Sequence, residues 1–380
     1  MFDLVLKGGR VLDPAQKFDS VADVAFAGGK VAAIGKGLAA KKAKDVRDVT
    51  GKIVTPGLID LHTHVYWGGT SVGVEPDAYA KQSGCTTLID AGTAGPANMM
   101  GFRKHVIERA ECRILPYLNI SFPGIFAFSA AVMVGECADL RLLDPRECVR
   151  VGREHADLIV GIKVRIGRGA GGETGMAPLD MAIQAAEELG LPVMAHLDHP
   201  PPHRPDVMAR MRGGDVITHC FRPFPNNPSK PGGGVHADVT AARKRGVIFD
   251  IGHGKGSFGY ETAKAMLKSG FLPDVISSDV HVLSIKGPAY DLLHTMSKFL
   301  AMGMPLAEIV RANTINAALA VRKSDRGTLK TGLLGDATVM EVKKGKFEFE
   351  DVLGERFKGT EHLACRGIVL GGRWWHGGER

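Results

Sequence analysis

Gly57-Leu58-Ile59-Asp60-Leu61-His62-Thr63-His64 carries an apolar run straight into His-x-His. On a β-strand alternate side chains share a face, so His62 and His64 point the same way. Two neutral imidazoles on one face are half of a transition-metal site. Apolar runs further along the chain end in residues of the same chemical kind, and their number and spacing predict the fold.

Counting residues 57–62 as the first, the runs continue at 86–91, 114–120, 158–164, 191–196, 215–219, 247–251 and 275–279, which makes eight. Helical patterning lies between several of them, at 97–110, 179–189, 237–245 and 260–269, and 305–320 reads as one further helix. Strands alternating with helices predict a parallel sheet, and eight such units predict a closed (β/α)8 TIM barrel of the α/β class. The two ends of the chain read differently. Short strands separated by glycine turns are expected at 3–7, 11–12, 21–26, 30–34 and 48–54, and again at 337–342, 347–349 and 368–370. They predict a small β-sandwich built from residues 1–55 and 328–380, with the barrel over 56–327.

In such a barrel the chemistry sits at the C-terminal ends of the strands. Strand one ends with His62 and His64, strand five with His196, strand six with His219 and strand eight with Asp279, while strand four carries Lys163 in Val160-Gly161-Ile162-Lys163-Val164. These four histidines, one lysine and one aspartate are expected to converge on one mouth.

On those residues the whole chain resembles the amidohydrolase superfamily, in its subtype with two metals bridged by a carboxylated lysine, and within it the dihydroorotase, hydantoinase and deacetylase-like branch. The resemblance implies that His62, His64 and Asp279 hold the more buried metal and His196 and His219 the other. It implies that Lys163, converted by CO2 to a carbamate, bridges both. A free ammonium beside two divalent cations would be repelled, whereas the neutral amine can take up CO2 and become an anionic ligand. Zinc suits this ligand set, and manganese or cobalt would also fit. Two metals a few Å apart lower the pKa of a bridging water, and the hydroxide formed attacks a carbonyl carbon. Asp279 is then the catalytic proton shuttle to the leaving group.

The reaction class expected is hydrolysis of an amide, cyclic amide or ester of a small molecule. A linear N-acyl or O-acyl carboxylate is favoured, with a hydantoinase-like or dihydroorotase-like cyclic substrate as the alternative. Dihydroorotases usually follow His-x-His with x-Arg, but here Val65-Tyr66-Trp67 follows. One-metal deaminases rely on a glutamate beyond strand five, where this chain reads His196-Leu197-Asp198-His199. A non-catalytic scaffold relative would lack ligands, and none is missing. Tyr66, Arg165, His253 and His281 are the expected substrate-binding residues, from their places near the strand ends.

The 380 residues are 44% hydrophobic and 23% charged, which is globular and long enough for a large core. The net charge of +7 is dispersed, apart from short clusters at Lys41-Lys42-Ala43-Lys44 and Lys343-Lys344-Gly345-Lys346. A solvated basic surface that attracts anionic small molecules is expected, without nucleic acid as a partner. No apolar run reaches the roughly 18 residues of a membrane span. The opening Met1-Phe2-Asp3-Leu4-Val5-Leu6-Lys7 lacks the form of a signal peptide, so a cytoplasmic location is expected. The six cysteines are scattered without Cys-x-x-Cys and are expected as free thiols. The resemblance also implies a homo-oligomer.

Overall fold

The computed structural model describes residues 1–40 and 42–377, so Lys41 of the first basic cluster and residues 378–380 lie outside the described residues. At its centre a seven-stranded parallel sheet runs in chain order through Leu58–Thr63, Cys85–Ala91, Arg113–Asn119, Gly161–Ile166, Val193–Leu197, Val216–Thr218 and Ile248–Phe249. The expected eighth run closes this sheet into a ring without forming a regular strand. It makes single parallel bridges, Asp250 to Val275 on one side and Thr63 to Val280 on the other. Ile251 N–H donates to Val275 C=O at 3.1 Å, and Asp279 N–H donates to His62 C=O at 2.8 Å. The ladder is broken because side chains compete for it: Ser278 N–H is taken by Asp60 Oδ1 at 3.0 Å, and the Ser278 hydroxyl donates to Asp60 Oδ2 at 2.5 Å.

The barrel interior is filled from below. Ile59, Leu61, Ile89, Leu115, Tyr117, Met194, Val216 and Val275 pack with Ala317, Ala318 and Val321 into one buried cluster. The first strand then changes face. Its pairing with the second slips between Asp60 and Thr63, so that Asp60 faces Leu88 and Thr63 faces Asp90. That inserted residue is a bulge, and a bulge re-aims the side chains that follow it.

Both termini build one eight-stranded sheet beside the barrel. Phe2–Asp13 pairs antiparallel with Phe18–Ala27 and parallel with Ala43–Asp48 and Ile53–Pro56. Ile53–Pro56 in turn pairs with Ala337–Glu350, which joins the two ends of the chain. Ala337–Glu350 and Arg356–Leu370 form a hairpin much longer than the short runs expected there. Register shifts at Val339/Met340 and Lys344/Phe347 interrupt the alternation on which a sequence reading depends.

Two helices depart from expectation. The helix expected at 97–110 is a short α-turn, Met99–Phe102, followed by a π-turn, Arg103–Ile107. The helix expected at 305–320 is two, Leu306–Ala312 and Ile315–Ala320. At the break the side chains of Asn313 and Thr314 bond back to the carbonyls of Ile309 and Val310 at 2.7 and 2.6 Å. The carbonyl of Asn313, freed from the helix, accepts from Ile59 N–H at 2.8 Å and anchors the first barrel strand. Among the described residues no helix is long and apolar enough to cross a membrane. The six cysteines are free thiols, five of them buried.

Candidate metal centre

The strand ends bring His62, His64, Lys163, His196, His219 and Asp279 around one cavity. The Nε2 atoms of His62 and His64 lie 3.3 and 3.2 Å from Asp279 Oδ1. The rings of His62 and His219 are 5.1 Å apart and those of His196 and His219 4.6 Å. Two of the six, His219 and Asp279, sit at positive φ, +64° and +48°. Such backbone is costly outside glycine and is found where a site over-determines it.

Hydrogen bonds behind the rings fix the tautomers. The Thr218 hydroxyl donates to Asp250 Oδ2 at 2.7 Å, so its oxygen is left to accept from His62 Nδ1–H at 2.9 Å. The Thr93 hydroxyl donates to Asp90 Oδ2 at 2.7 Å and in the same way accepts from His64 Nδ1–H at 2.8 Å. His219 Nδ1 faces a carbonyl, Gly252 C=O at 2.6 Å, and can only donate. In all three rings the proton is on Nδ1 and Nε2 keeps its lone pair. His196 is held the other way round, with Nε2 at 3.3 Å from Asp198 Oδ2, which leaves Nδ1 as its lone-pair atom.

The front of the site is therefore a set of acceptors. One ligand atom each from His62, His64 and Asp279 lies within 4.8 Å of the others. Two lone pairs and a carboxylate oxygen facing one another repel unless a cation sits among them, and that donor set fits a divalent metal. Burial holds the imidazoles neutral, pushing His64 and His196 down to about 3 and His62 and His219 well below the usual histidine range. Burial also pushes Asp279 up to about 6. Lys163 is fully buried and its Nζ has no hydrogen-bond partner among the described residues. Burial brings it down to about 8, within reach of the neutral amine that CO2 requires. Glycine makes room for its stem, since a Cβ on Gly92 would come within 2.3 Å of Lys163 Cβ.

The cavity, about 90 Å³, is also walled by Val72, Ile125, Phe128, Arg165, Ser257 and His281. Of the expected substrate residues, the structure brings Arg165 and His281 to this wall. Arg165 pairs with buried Glu136 at 3.3 Å and lies over the Phe128 ring. His281 Nδ1 accepts from Leu283 N–H at 3.2 Å, so its proton is on Nε2. The structure does not bring Tyr66 or His253 to the cavity. Tyr66 is packed into the outer core, stacked on Phe102 at 4.7 Å. His253 is wholly buried against Phe258, and its Nε2 accepts from Lys298 Nζ at 2.7 Å. The same ammonium donates to Pro288 C=O and Glu350 C=O, so His253 completes the three acceptors that a buried lysine needs. Sequence reasoning missed Asp90, Thr93, Thr218, Asp250 and Asp198, the groups that orient the rings. The available signal was position, since Thr218 and Asp198 lie one and two residues from an expected ligand.

The parallel barrel and its histidine-rich mouth define a barrel hydrolase. The chain belongs to the amidohydrolase family, whose model, described as "Amidohydrolase family", matches residues 53–364. A protein of Brucella anthropi named "Deacetylase" is 34% identical over 90% of this chain and 85% of its own length. A deacetylase of Agrobacterium fabrum is 35% identical over 93% of this chain and 86% of its own length. Among solved structures, one described as an adenine deaminase superposes with a TM-score of 0.92 at 30% identity, over 99% of this chain and 100% of that one. One described as a dihydroorotase superposes with a TM-score of 0.90 at 31% identity, over the whole of both chains. The protein is a hydrolase of the amidohydrolase superfamily.

Proposed function

We propose that this protein hydrolyses the amide or ester bond of a small linear acyl compound that carries a carboxylate, as a deacetylase does. In this reading His62, His64 and Asp279 would hold one divalent ion and His196 and His219 a second, Lys163 would join the ligand set as a carbamate, and zinc would be the metal. The observation that carries the metal-dependent chemistry is the set of facing acceptor atoms with the partnerless Lys163 Nζ behind it. Metal ions bound there supply Lewis acidity and lower the pKa of a water molecule toward neutrality.

The chain's own residues do the rest. The relays through Thr218 and Thr93 keep the lone pairs of His62 and His64 turned to the centre. Asp279 takes the nucleophile's proton and returns it to the leaving nitrogen or oxygen. His281, with its proton on Nε2, is a donor in the cavity wall, and Phe128 supplies the apolar side. The small cavity suits a short acyl group. The linear substrate is supported by the Brucella anthropi and Agrobacterium fabrum relatives, which match along most of the chain and are named deacetylases. The solved structures described as an adenine deaminase and a dihydroorotase match as widely, and the screen includes adenine and dihydroorotate for that reason.

The test is a hydrolysis screen of the metal- and bicarbonate-loaded protein against N-acyl amino acids, acylated 2-hydroxy acids, hydantoins, dihydroorotate and adenine. Turnover of the linear acyl compounds is expected. Turnover confined to rings replaces this reading with a cyclic amidohydrolase, and release of ammonia from adenine replaces it with a deaminase. Asp279→Asn is expected to retain much of its metal and lose most of its turnover, and near-normal rates in the loaded variant would end the shuttle assignment.

A further inference from the structure

Arg222 lies three residues beyond His219 and is 4% exposed. Its Nη2 donates to Ser257 Oγ at 3.1 Å, while Nε and Nη1 are buried with no partner. No carboxylate pairs with it among the described residues, in contrast to Arg165, whose charge is answered by Glu136 at 3.3 Å. A guanidinium so buried is costly unless an anion completes it. Nη2 carries a second hydrogen, so one forked edge keeps two free N–H donors, the pair that a bidentate carboxylate takes. Ser257, the group it holds, is in the cavity wall with His62, Lys163 and Asp279. The backbone around it is pinned: Thr262 Oγ1 donates to Arg222 C=O at 3.2 Å, and Gly259 N–H donates to Phe221 C=O at 3.1 Å. Arg222 itself lies behind Ser257 and not in the cavity wall, near enough to Asp198, Arg165 and Asp279 to feel their charges, and this frame holds it between the sixth and seventh strands.

We propose that Arg222 and Ser257 form the specificity subsite that receives the carboxylate of the substrate, an assignment that rests on the deacetylase reading for its substrate class. Arg222 supplies the charge, and the Ser257 hydroxyl, which accepts from Arg222, keeps its own proton for the same carboxylate. The reacting acyl bond then lies on the side of His62, His64 and Asp279. Arg165, already neutralised, shapes the wall.

The experiment compares matched substrates, an acylated 2-hydroxy acid and its primary carboxamide, on the metal-loaded enzyme. The ratio of kcat/KM for acid over amide is expected to fall about 30-fold in Arg222→Met, mainly through KM, and about fivefold in Ser257→Ala, with part of the loss recovered in Arg222→Lys. Equal losses on both substrates would mean a structural role and overturn the proposal. A binding arm separates this from the enzymatic reading. Lactate and the uncharged metal-directed acetohydroxamate are titrated calorimetrically into the metal-loaded wild-type protein and both neutral variants. Weaker lactate binding with acetohydroxamate binding retained supports the subsite even where no acyl compound is turned over. Lactate that fails to bind the wild type, or binds the variants equally well, overturns it however active the enzyme is. If Arg222→Met does not fold, Ser257→Ala carries both arms.

Discussion

Each proposed metal-facing imidazole depends on a second group that decides where its proton resides. Thr218 does this for His62 only because Asp250 takes the threonine's own proton; alone, a hydroxyl could serve as donor or acceptor. Thr218→Val keeps the shape and removes both bonds. Metal affinity, read by competition with a chromogenic chelator, is expected to fall roughly 10- to 100-fold, as outer-shell losses do. Thr93→Val should weaken the His64 side in the same sense. An affinity unchanged in Thr218→Val would show that packing alone holds the His62 ring.

At the scale of elements, the ends of strands and the turns after them share the work. Gly254, in the turn after the seventh strand, has φ +53°, and a Cβ there would meet Asp279 Oδ2 at 2.2 Å. Gly254→Ala combines a strained backbone with displacement of the Asp279 carboxylate, so a loss of roughly 1–3 kcal/mol in unfolding free energy is expected. Turnover should fall further than this stability loss alone explains, which thermal melts and rates on the same preparation would test. Much of this scale was legible in the sequence. Apolar runs ending in His62, His196 and His219 announced both the strands and their ends, because a buried parallel strand leaves a continuous hydrophobic signature, whereas the run ending in Asp279 closes the ring by single bridges and is no regular strand. The bulge at Asp60–Thr63 was not legible, because one extra residue in a ladder is a property of the pair and not of either strand. The broken helix at Asn313–Thr314 was hidden for a similar reason, since its compensating partner, Ile59, is distant in sequence. His253 and Tyr66 show the converse: position near a strand end does not say which way a loop side chain turns, and packing on Phe258 and Phe102 decided both.

For the whole molecule, the buried charges set the response to pH. Burial pushes Asp279 up to about 6 and Asp250 up to about 7, while His64 and His196 are pushed down to about 3. As pH falls from 7.5 to 5.5 the imidazoles stay neutral, but Asp279 takes up the proton that a cation must displace. Protonation of Asp250 weakens the relay to His62 in the same direction. Metal affinity should therefore drop with falling pH, by about tenfold per pH unit for each proton displaced once below the carboxyl's pKa. Zinc titrations at several pH values check this, and an affinity flat across that interval would show that Asp279 is not a ligand.

The eighth segment meets the first across a seam of few backbone bonds, Asp279 N–H to His62 C=O at 2.8 Å and His64 N–H to Val280 C=O at 2.9 Å. The three acceptor atoms that face one another come from the two sides of that same seam. During synthesis His62 and His64 emerge more than two hundred residues before Asp279, so they must wait for most of the chain before the third acceptor exists. An ion that binds all three acts as a clasp, fastened last, and it rewards only the molecule whose ring has shut. Chelation should accordingly be felt first as faster amide exchange along the seam, while the strand Arg113–Asn119, which carries none of the proposed ligands, keeps its protection.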